Sequence, residues 1–274
     1  GLRRLRKNPI AMVSLAVLII VLILAFIVPA FYPYDYATQI RGSENLGPMQ
    51  YSEAEQAAMA AGEKVFPHIL GTDSLGRDYA VRVMMGTRVS LSVGLLASVL
   101  VLLIGSVYGS VAGFLGGKVD LFMMRIVDII YTVPDLLIII LLASTLKYPL
   151  QSLVRSHVLT LKESVYVTAA RALGAGTGRI IKKHILTNCI GTLIVTTTLQ
   201  IPSAIFTESF LSFLGIGVSA PMPSLGSLAS TAIDGLQSYP YRLFAPAIAI
   251  SVVILSFNLF GDGLRDAFDP KLKN

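Results

Sequence analysis

The residues of this chain that could do chemistry are few and scattered. Its histidines are His68, His157 and His184, its one cysteine is Cys189, and its serines and aspartates are spread along the whole length. A metal site needs ligands at short helical or loop spacing, and no two of the histidines have it, so all three are expected at a surface or interface. No serine or aspartate is placed with a histidine partner that would make a nucleophile and base. The single cysteine excludes a disulfide within the chain and a thiolate cluster, and is expected to be inert packing. Nor is there a phosphate-cradling loop of the form G-x-x-x-x-G-K-[ST]: Gly117-Lys118 is followed by Val119, and the upstream glycine is missing. The sequence therefore predicts no catalytic residue and no metal site, and any ATP must be bound by another subunit.

Other residues are conspicuous for where they sit. Gly105, Gly109, Gly113 and Gly117 follow one another at four-residue intervals in an apolar run. One glycine per helical turn strips a face of side chains and lets another helix approach closely, and packing is a better account of this stripe than a pore lining. Pro134 and Asp135 interrupt a second apolar run. A carboxylate there must face protein or water, as a bond to a neighbouring helix or a place on a substrate path. Finally, SVYVTAARALGAGTGRIIKKHIL, Ser164 to Leu186, collects small residues ringed by Arg171, Arg179, Lys182 and Lys183.

The elements that must position these residues are membrane helices. With 54% of residues hydrophobic, 14% charged and a mean hydropathy of +0.72, the chain is too apolar for an ordinary soluble domain. The net charge of +6 borders long apolar runs rather than stacking aromatics, which points to membrane orientation and away from nucleic acid. Spans are expected at Ile10–Phe31, Val89–Leu115, about 121–146, Ile185–Ile205 and Phe244–Phe260, each near the roughly 20 residues a crossing needs. The first is too long for a signal-peptide core and has no convincing cleavage site, so it reads as an anchor that stays. Arg3, Arg4, Arg6 and Lys7 place its start inside the cell.

Between the first two spans, 34–88 is polar and should lie outside with short helices. Within it, Asp78 and Arg82 have i,i+4 spacing, with Leu75, Tyr79 and Val83 on a neighbouring stripe. A helix on the outer membrane surface and an ordinary surface helix both fit. Arg125 and Asp128 can meet on one face of the third span. The connector 206–243, dense in Gly, Pro and Ser, is not a regular spanning helix. Three spans would deliver the basic stretches VRSHVLTLK and GRIIKKHIL outside, against the inside bias of positive charge. We therefore expect one further span, absent from this sequence, between Leu146 and Val154. A five-span chain with one basic loop on the outside is the competing account.

Residues 161–174 can form a short helix stopped by Gly174. Its alanine-lined face suits docking into a partner's groove, and its positive rim suits lipid head groups, and composition does not separate the two. YVTAARALGAGTGRIIKKHIL resembles the cytoplasmic loop of ABC importer permeases: Ala169, Ala170, Gly174, Ile185 and Leu186 match the pattern, while Thr168 stands where glutamate is usual and Thr187 where proline is. RRLRKNPIAM, HILGTDSLGRDYAVRVMMGTRVSL, MRIVDIIYTVPDLL, ESFLSFLGIGVSAPMPSLG and DGLRDAFDPKL also resemble, in the right order, the dipeptide/oligopeptide/nickel permease family in its C-type subunit.

The resemblance implies an all-α, polytopic helix bundle of the type I ABC importer kind, with six spans, in a bacterial or archaeal cytoplasmic membrane with the N-terminus cytoplasmic. It implies three regions: 1–33, the basic segment and first span; 34–88, the extracytoplasmic loop; and 89–274, the core, with a coupling helix at 161–174 and an outer connector at 206–243. It further implies a B-type permease partner, two ABC ATPase subunits carrying ATP and Mg, and an extracytoplasmic binding protein that delivers di- or oligopeptides. Tyr166, Ala169, Ala170, Arg171 and Gly174 become the ATPase contact; Asp135, Gly105, Gly109 and Gly113 are the candidates for the translocation path or for helix packing. Nickel or another small solute on the same architecture is the alternative cargo. An ion channel or ion-driven transporter, with Asp135 as the central carboxylate, is the alternative class.

Overall fold

The computed structural model describes residues 2–132, 176–180, 186–218 and 220–268. Among these, regular structure is helical, and strand pairing is limited to the isolated bridges Gln50–His68 and Thr72–Asp78. In chain order the α-helices are α1 (Leu2–Leu5), α2 (Pro9–Phe26), α3 (Glu53–Ala60), α4 (Tyr79–Leu115), α5 (Gly117–Thr132), α6 (Thr177–Ile180), α7 (Leu186–Phe213), α8 (Leu225–Ala232) and α9 (Tyr241–Phe268). A 3-10 turn, Val28–Ala30, ends the α2 run. Among the described residues, three stretches are long and apolar enough to cross a bilayer: Pro9–Ala30, Tyr79–Leu115 and Tyr241–Phe268.

Local chemistry explains the helix starts. Asn8 accepts hydrogen bonds from the amides of Ile10 and Ala11 through Oδ1, and Pro9 takes the first helical position, where a missing N–H does no harm. α3 opens with a capping box: Glu55 N donates to Ser52 Oγ, and Ser52 N donates to the Glu55 carboxylate at 2.8 Å. α8 repeats the device with Ser224 and Ser227. Between α4 and α5, Gly116 and Gly117 have φ of +64° and +56°, a left-handed turn that suits glycine. Gly117 is exposed and lies outside α4, so the stripe ends at Gly113, whereas Gly105, Gly109 and Gly113 are all buried.

Helix lengths depart from the sequence expectation at three places. α4 begins at Tyr79, so the turns expected as a surface helix are the opening of the span itself. At 37 residues it is roughly 55 Å long, well beyond a hydrocarbon core of about 30 Å, which leaves its arginine-bearing start outside. α7 continues through TESFLSF to Phe213, and α9 starts at Tyr241, so the irregular connector is shorter than 206–243. The Gly-, Pro- and Ser-rich composition that marked the connector begins only after TESFLSF, whose polar side chains are satisfied by neighbours, as described below.

The chain divides into two compact units. One comprises Gly1–Met12, Leu95–Ala204 and Asn258–Asn274. Its described core packs Leu5, Ala11, Val195, Leu264 and Ala267, with Leu199 and Phe260 against them. Gly263 lets α9 approach the start of α2: a Cβ on it would sit 2.3 Å from that of Ala11. The other unit comprises Val13–Gly94 and Ile205–Phe257 and contains the loop between α2 and α4.

Candidate functional site

Of the residues singled out from sequence, Tyr166, Ala169, Ala170, Arg171, Gly174 and Asp135 lie outside the described residues, as do His157, His184 and the interval between Leu146 and Val154. Gly105, Gly109 and Gly113 lie on α4, and Cys189 is buried on α7. Arg125 and Asp128 form the expected i,i+3 pair, 3.8 Å apart and exposed. Among the described residues, no cluster of His, Cys, Asp and Glu could hold a metal ion.

What the structure does bring together, in the second unit, are the two motifs HILGTDSLGRD and ESFLSFLGIG. In the first, glycines are required by close approach. Gly71 and Gly76 have φ of +71° and +70°, and a Cβ on either would come within 2.2 Å of the carbonyl oxygens of Leu46 and Ile40. Thr72 Oγ1 accepts from Leu46 N at 2.9 Å and donates to Ser43 O. Asp73 Oδ1 accepts from the amides of Leu75 and Arg77, while Oδ2 holds Arg77 Nε at 2.7 Å and Arg82 Nε at 3.4 Å. The motif thus folds a tight hairpin against its own backbone.

His68 is the correction to the sequence reading. It is fully buried, not at a surface, with Nδ1 2.8 Å from Asp78 Oδ2 and Nε2 3.1 Å from Glu55 Oε1. Its ring stacks on Tyr34 at 4.4 Å between centroids. Burial, the largest single influence, disfavours the imidazolium, but the hydrogen bonds and charges of Asp78 and Glu55 together outweigh it and raise the His68 pKa. In the cation both ring nitrogens donate, which is what two carboxylate neighbours need. The Tyr34 hydroxyl is pushed up to about 12, first by burial and then by the charges of Glu55 and Asp78. Asp78 does not pair with Arg82 as its spacing suggested. Its Oδ1 accepts from Val81 N at 2.9 Å, capping α4, and Arg82 turns instead to Asp73 and to Tyr36 O.

Arg242, at the start of α9, clasps the same loop from the other side. Its Nη2 donates to Asn45 Oδ1 at 2.9 Å and Thr72 O at 2.7 Å, and its guanidinium lies 4.3 Å from the centre of the Tyr239 ring. The Tyr79 hydroxyl donates to Arg242 O at 2.7 Å and that of Tyr241 to Leu46 O at 2.7 Å. Lower in the unit, Glu208 on α7 is buried and accepts from Ser90 Oγ at 2.6 Å, Ser212 Oγ at 2.8 Å and Ser209 Oγ at 3.3 Å. Three hydroxyls make a buried carboxylate tolerable where, among the described residues, no cation pairs with it. Gly226 of α8 then packs on the α7 backbone: a Cβ there would lie 1.9 Å from Ser209 O.

This arrangement is a scaffold: a polar loop bolted to the ends of long apolar helices, with Glu55, His68, Asp78, Asp73, Arg77 and Arg82 engaged to one another. That defines a class, a multi-pass membrane protein whose polar loop between α2 and α4 and whose connector between α7 and α9 are structural parts of the helix bundle. The chain belongs to the family described as binding-protein-dependent transport system inner membrane component, matched over residues 105–274, and its residues 1–48 match the N-terminal transmembrane domain of oligopeptide transport permease C. It is therefore a C-type ABC importer permease. It is 43% identical to the oligopeptide transport system permease protein OppC of Bacillus subtilis, covering 98% of this chain and 88% of that one. It is 40% identical to the dipeptide transport system permease protein DppC of the same organism, over 99% and 85%. Identity to DppC of Lactococcus lactis is 37%, over 98% and 89%. The chain is a transporter subunit rather than an enzyme, one component of a transport complex in a membrane.

Proposed function

We propose that this chain forms part of the transmembrane pathway of an ATP-driven importer for di- or oligopeptides. The observation that carries it is near end-to-end similarity, at up to 43% identity among the relatives above, to permeases named for oligopeptide and dipeptide transport. A B-type permease completes the pathway, two ABC ATPases supply ATP and Mg, and an extracytoplasmic binding protein delivers the peptide, with the N-terminus of this chain in the cytoplasm of a bacterium or archaeon. This chain contributes no chemical step. Its role is to favour two conformations differently when the ATPases close, which requires differential contacts rather than catalysis.

The ATPase contact falls to Tyr166, Ala169, Ala170, Arg171 and Gly174. Small residues there leave a shallow face that a groove can accept, and the surrounding Arg and Lys keep it on the cytoplasmic side. Ala170→Glu in the assembled importer is expected to abolish peptide uptake and transport-coupled ATP hydrolysis while membrane insertion and complex recovery stay normal. Normal uptake by that variant would overturn the assignment. Asp135 belongs to a helix contact or to the peptide path.

A sixth crossing, absent from this sequence, belongs between Leu146 and Val154. The alignments to relatives extend over 285, 287 and 305 positions against 274 residues in this chain, so each relative has positions with no counterpart here. The lengths do not locate these positions; the charge bias of the stretch that follows is what favours placing them before Val154. The protein from its natural source should then exceed 29.4 kDa by roughly 2 kDa, the mass of about 20 residues, in an intact-mass measurement. A mass at 29.4 kDa would refute the sixth span.

A further inference from the structure

At the end of the first apolar run, in the second unit, lies an open cavity of about 330 Å³. It is lined by Pro29 and Ala30, where the run Pro9–Ala30 ends, and by Val81 and Met85 of α4. Tyr32, Tyr34 and Tyr36 line it, together with one cation, Arg88, and one carboxylate, Asp35. Aromatic rings with polar tips at the close of a span mark the head-group level of a bilayer.

The charges in this cavity are incompletely used. Arg88 lies more than two turns into α4 and is exposed, and among the described residues its guanidinium meets a ring, that of Phe26, at 5.3 Å, and no carboxylate. A cation so near the hydrocarbon calls for an anion. Arg82, one stretch earlier on the same helix, has its anion in Asp73. Asp35 is exposed too: its Oδ2 accepts from Ala37 N at 3.0 Å and Thr38 Oγ1 at 3.4 Å, which leaves Oδ1 for a ligand. Just before Pro29 on the same run Ile23 and Ile27 are exposed, and just after Ala30 so is Phe31, by 83%. A ligand here must bring a phosphate-like anion, an ammonium and apolar tails together. A hydrophilic peptide supplies the charges but leaves the apolar flank bare.

We propose that this cavity holds the head group of a zwitterionic, amine-bearing phospholipid. Arg88 takes the phosphate diester, in the geometry a guanidinium favours. Asp35 Oδ1 accepts from the ammonium, whose charge also faces the tyrosine rings, and the acyl chains run down the Ile23 and Ile27 side of α2. The site tethers the loop entry to the bilayer and is independent of which solute is transported.

The test uses the assembled importer in vesicles of equal parts phosphatidylethanolamine and phosphatidylglycerol, followed by native mass spectrometry of the lipids it retains. The unaltered complex should keep phosphatidylethanolamine in preference. Arg88→Gln should lower retention of that lipid roughly tenfold, the worth of one charge-assisted contact, and Arg88→Lys should restore part of it. Asp35→Asn should abolish the preference over phosphatidylglycerol, which has the phosphate but no amine. Both side chains are exposed, so assembly should be unaffected. Unchanged lipid retention in Arg88→Gln overturns the proposal, as does displacement of the lipid by trialanine, which would make the cavity a peptide site.

Discussion

Replacing His68 by alanine should open the loop between α2 and α4, and the expected size follows from its neighbours. His68 and Asp78 have side chains that are 0% exposed, and Glu55 is 13% exposed. Removing one partner of a buried ion pair costs about 3–5 kcal/mol, because the remaining charge stays buried without compensation. Asp78 keeps its bond from Val81 N, and Glu55 keeps one from Ser52 N, so the lower end applies, about 3 kcal/mol. That is roughly a 150-fold rise in the local opening equilibrium. Hydrogen exchange reads it directly: Asn45, Met49 and Thr72 donate their amides within this segment, to Asp73 O, His68 O and Leu46 O. His68→Gln, which can donate to one carboxylate, should lose about half as much free energy. The pH dependence has a definite sign. His68 is raised above its ordinary 6.5, so its contribution is complete below that value and is lost as pH rises through the higher folded-state value. Protection, corrected for intrinsic exchange, should therefore fall as pH rises above the ordinary imidazole value of 6.5 in the unaltered protein and stay flat in His68→Gln. Equal protection in His68→Ala, or a surviving pH dependence in His68→Gln, would refute this account.

Gly226→Ala places a methyl carbon 1.9 Å from Ser209 O and 2.6 Å from its carbonyl carbon, both backbone atoms that cannot step aside. α8 must leave α7, and thermal unfolding should show a loss near the upper end of overpacking effects, about 3 kcal/mol; an unchanged Tm would count against the close approach. Arg242→Lys removes the planar group that spans Asn45, Thr72 and the Tyr239 ring. The charge survives but the fork does not, so a loss of about 1–2 kcal/mol should appear as faster proteolysis of 45–78. If cleavage rates match, the clasp is not held by geometry.

How much was legible beforehand differs by kind of feature. The apolar runs that became α2, α4 and α9 were evident, because bilayer solvation acts on composition over a window of about 20 residues. The buried glycine stripe on α4 was evident for a related reason: a four-residue repeat is a property of one helix. Helix ends were less legible. TESFLSF was grouped with the Gly-, Pro- and Ser-rich connector, yet it is helical: Glu208 is satisfied by Ser209 and Ser212 nearby and by Ser90, a partner 118 positions away.

The loop between α2 and α4 shows where sequence reasoning stops. Asp78 and Arg82 had the spacing of a helical pair, yet Asp78 faces His68, ten residues back, and Arg82 faces Asp73. Arg242 reaches Thr72 across 170 positions. The sequence by itself determined that the chain is a membrane protein built from long apolar helices, because hydropathy, periodicity and charge bias are local sums. Tertiary structure alone decided which polar groups meet, because a buried charge chooses the partner that the packing of distant segments brings within hydrogen-bonding distance, whatever its nearest neighbour on its own helix.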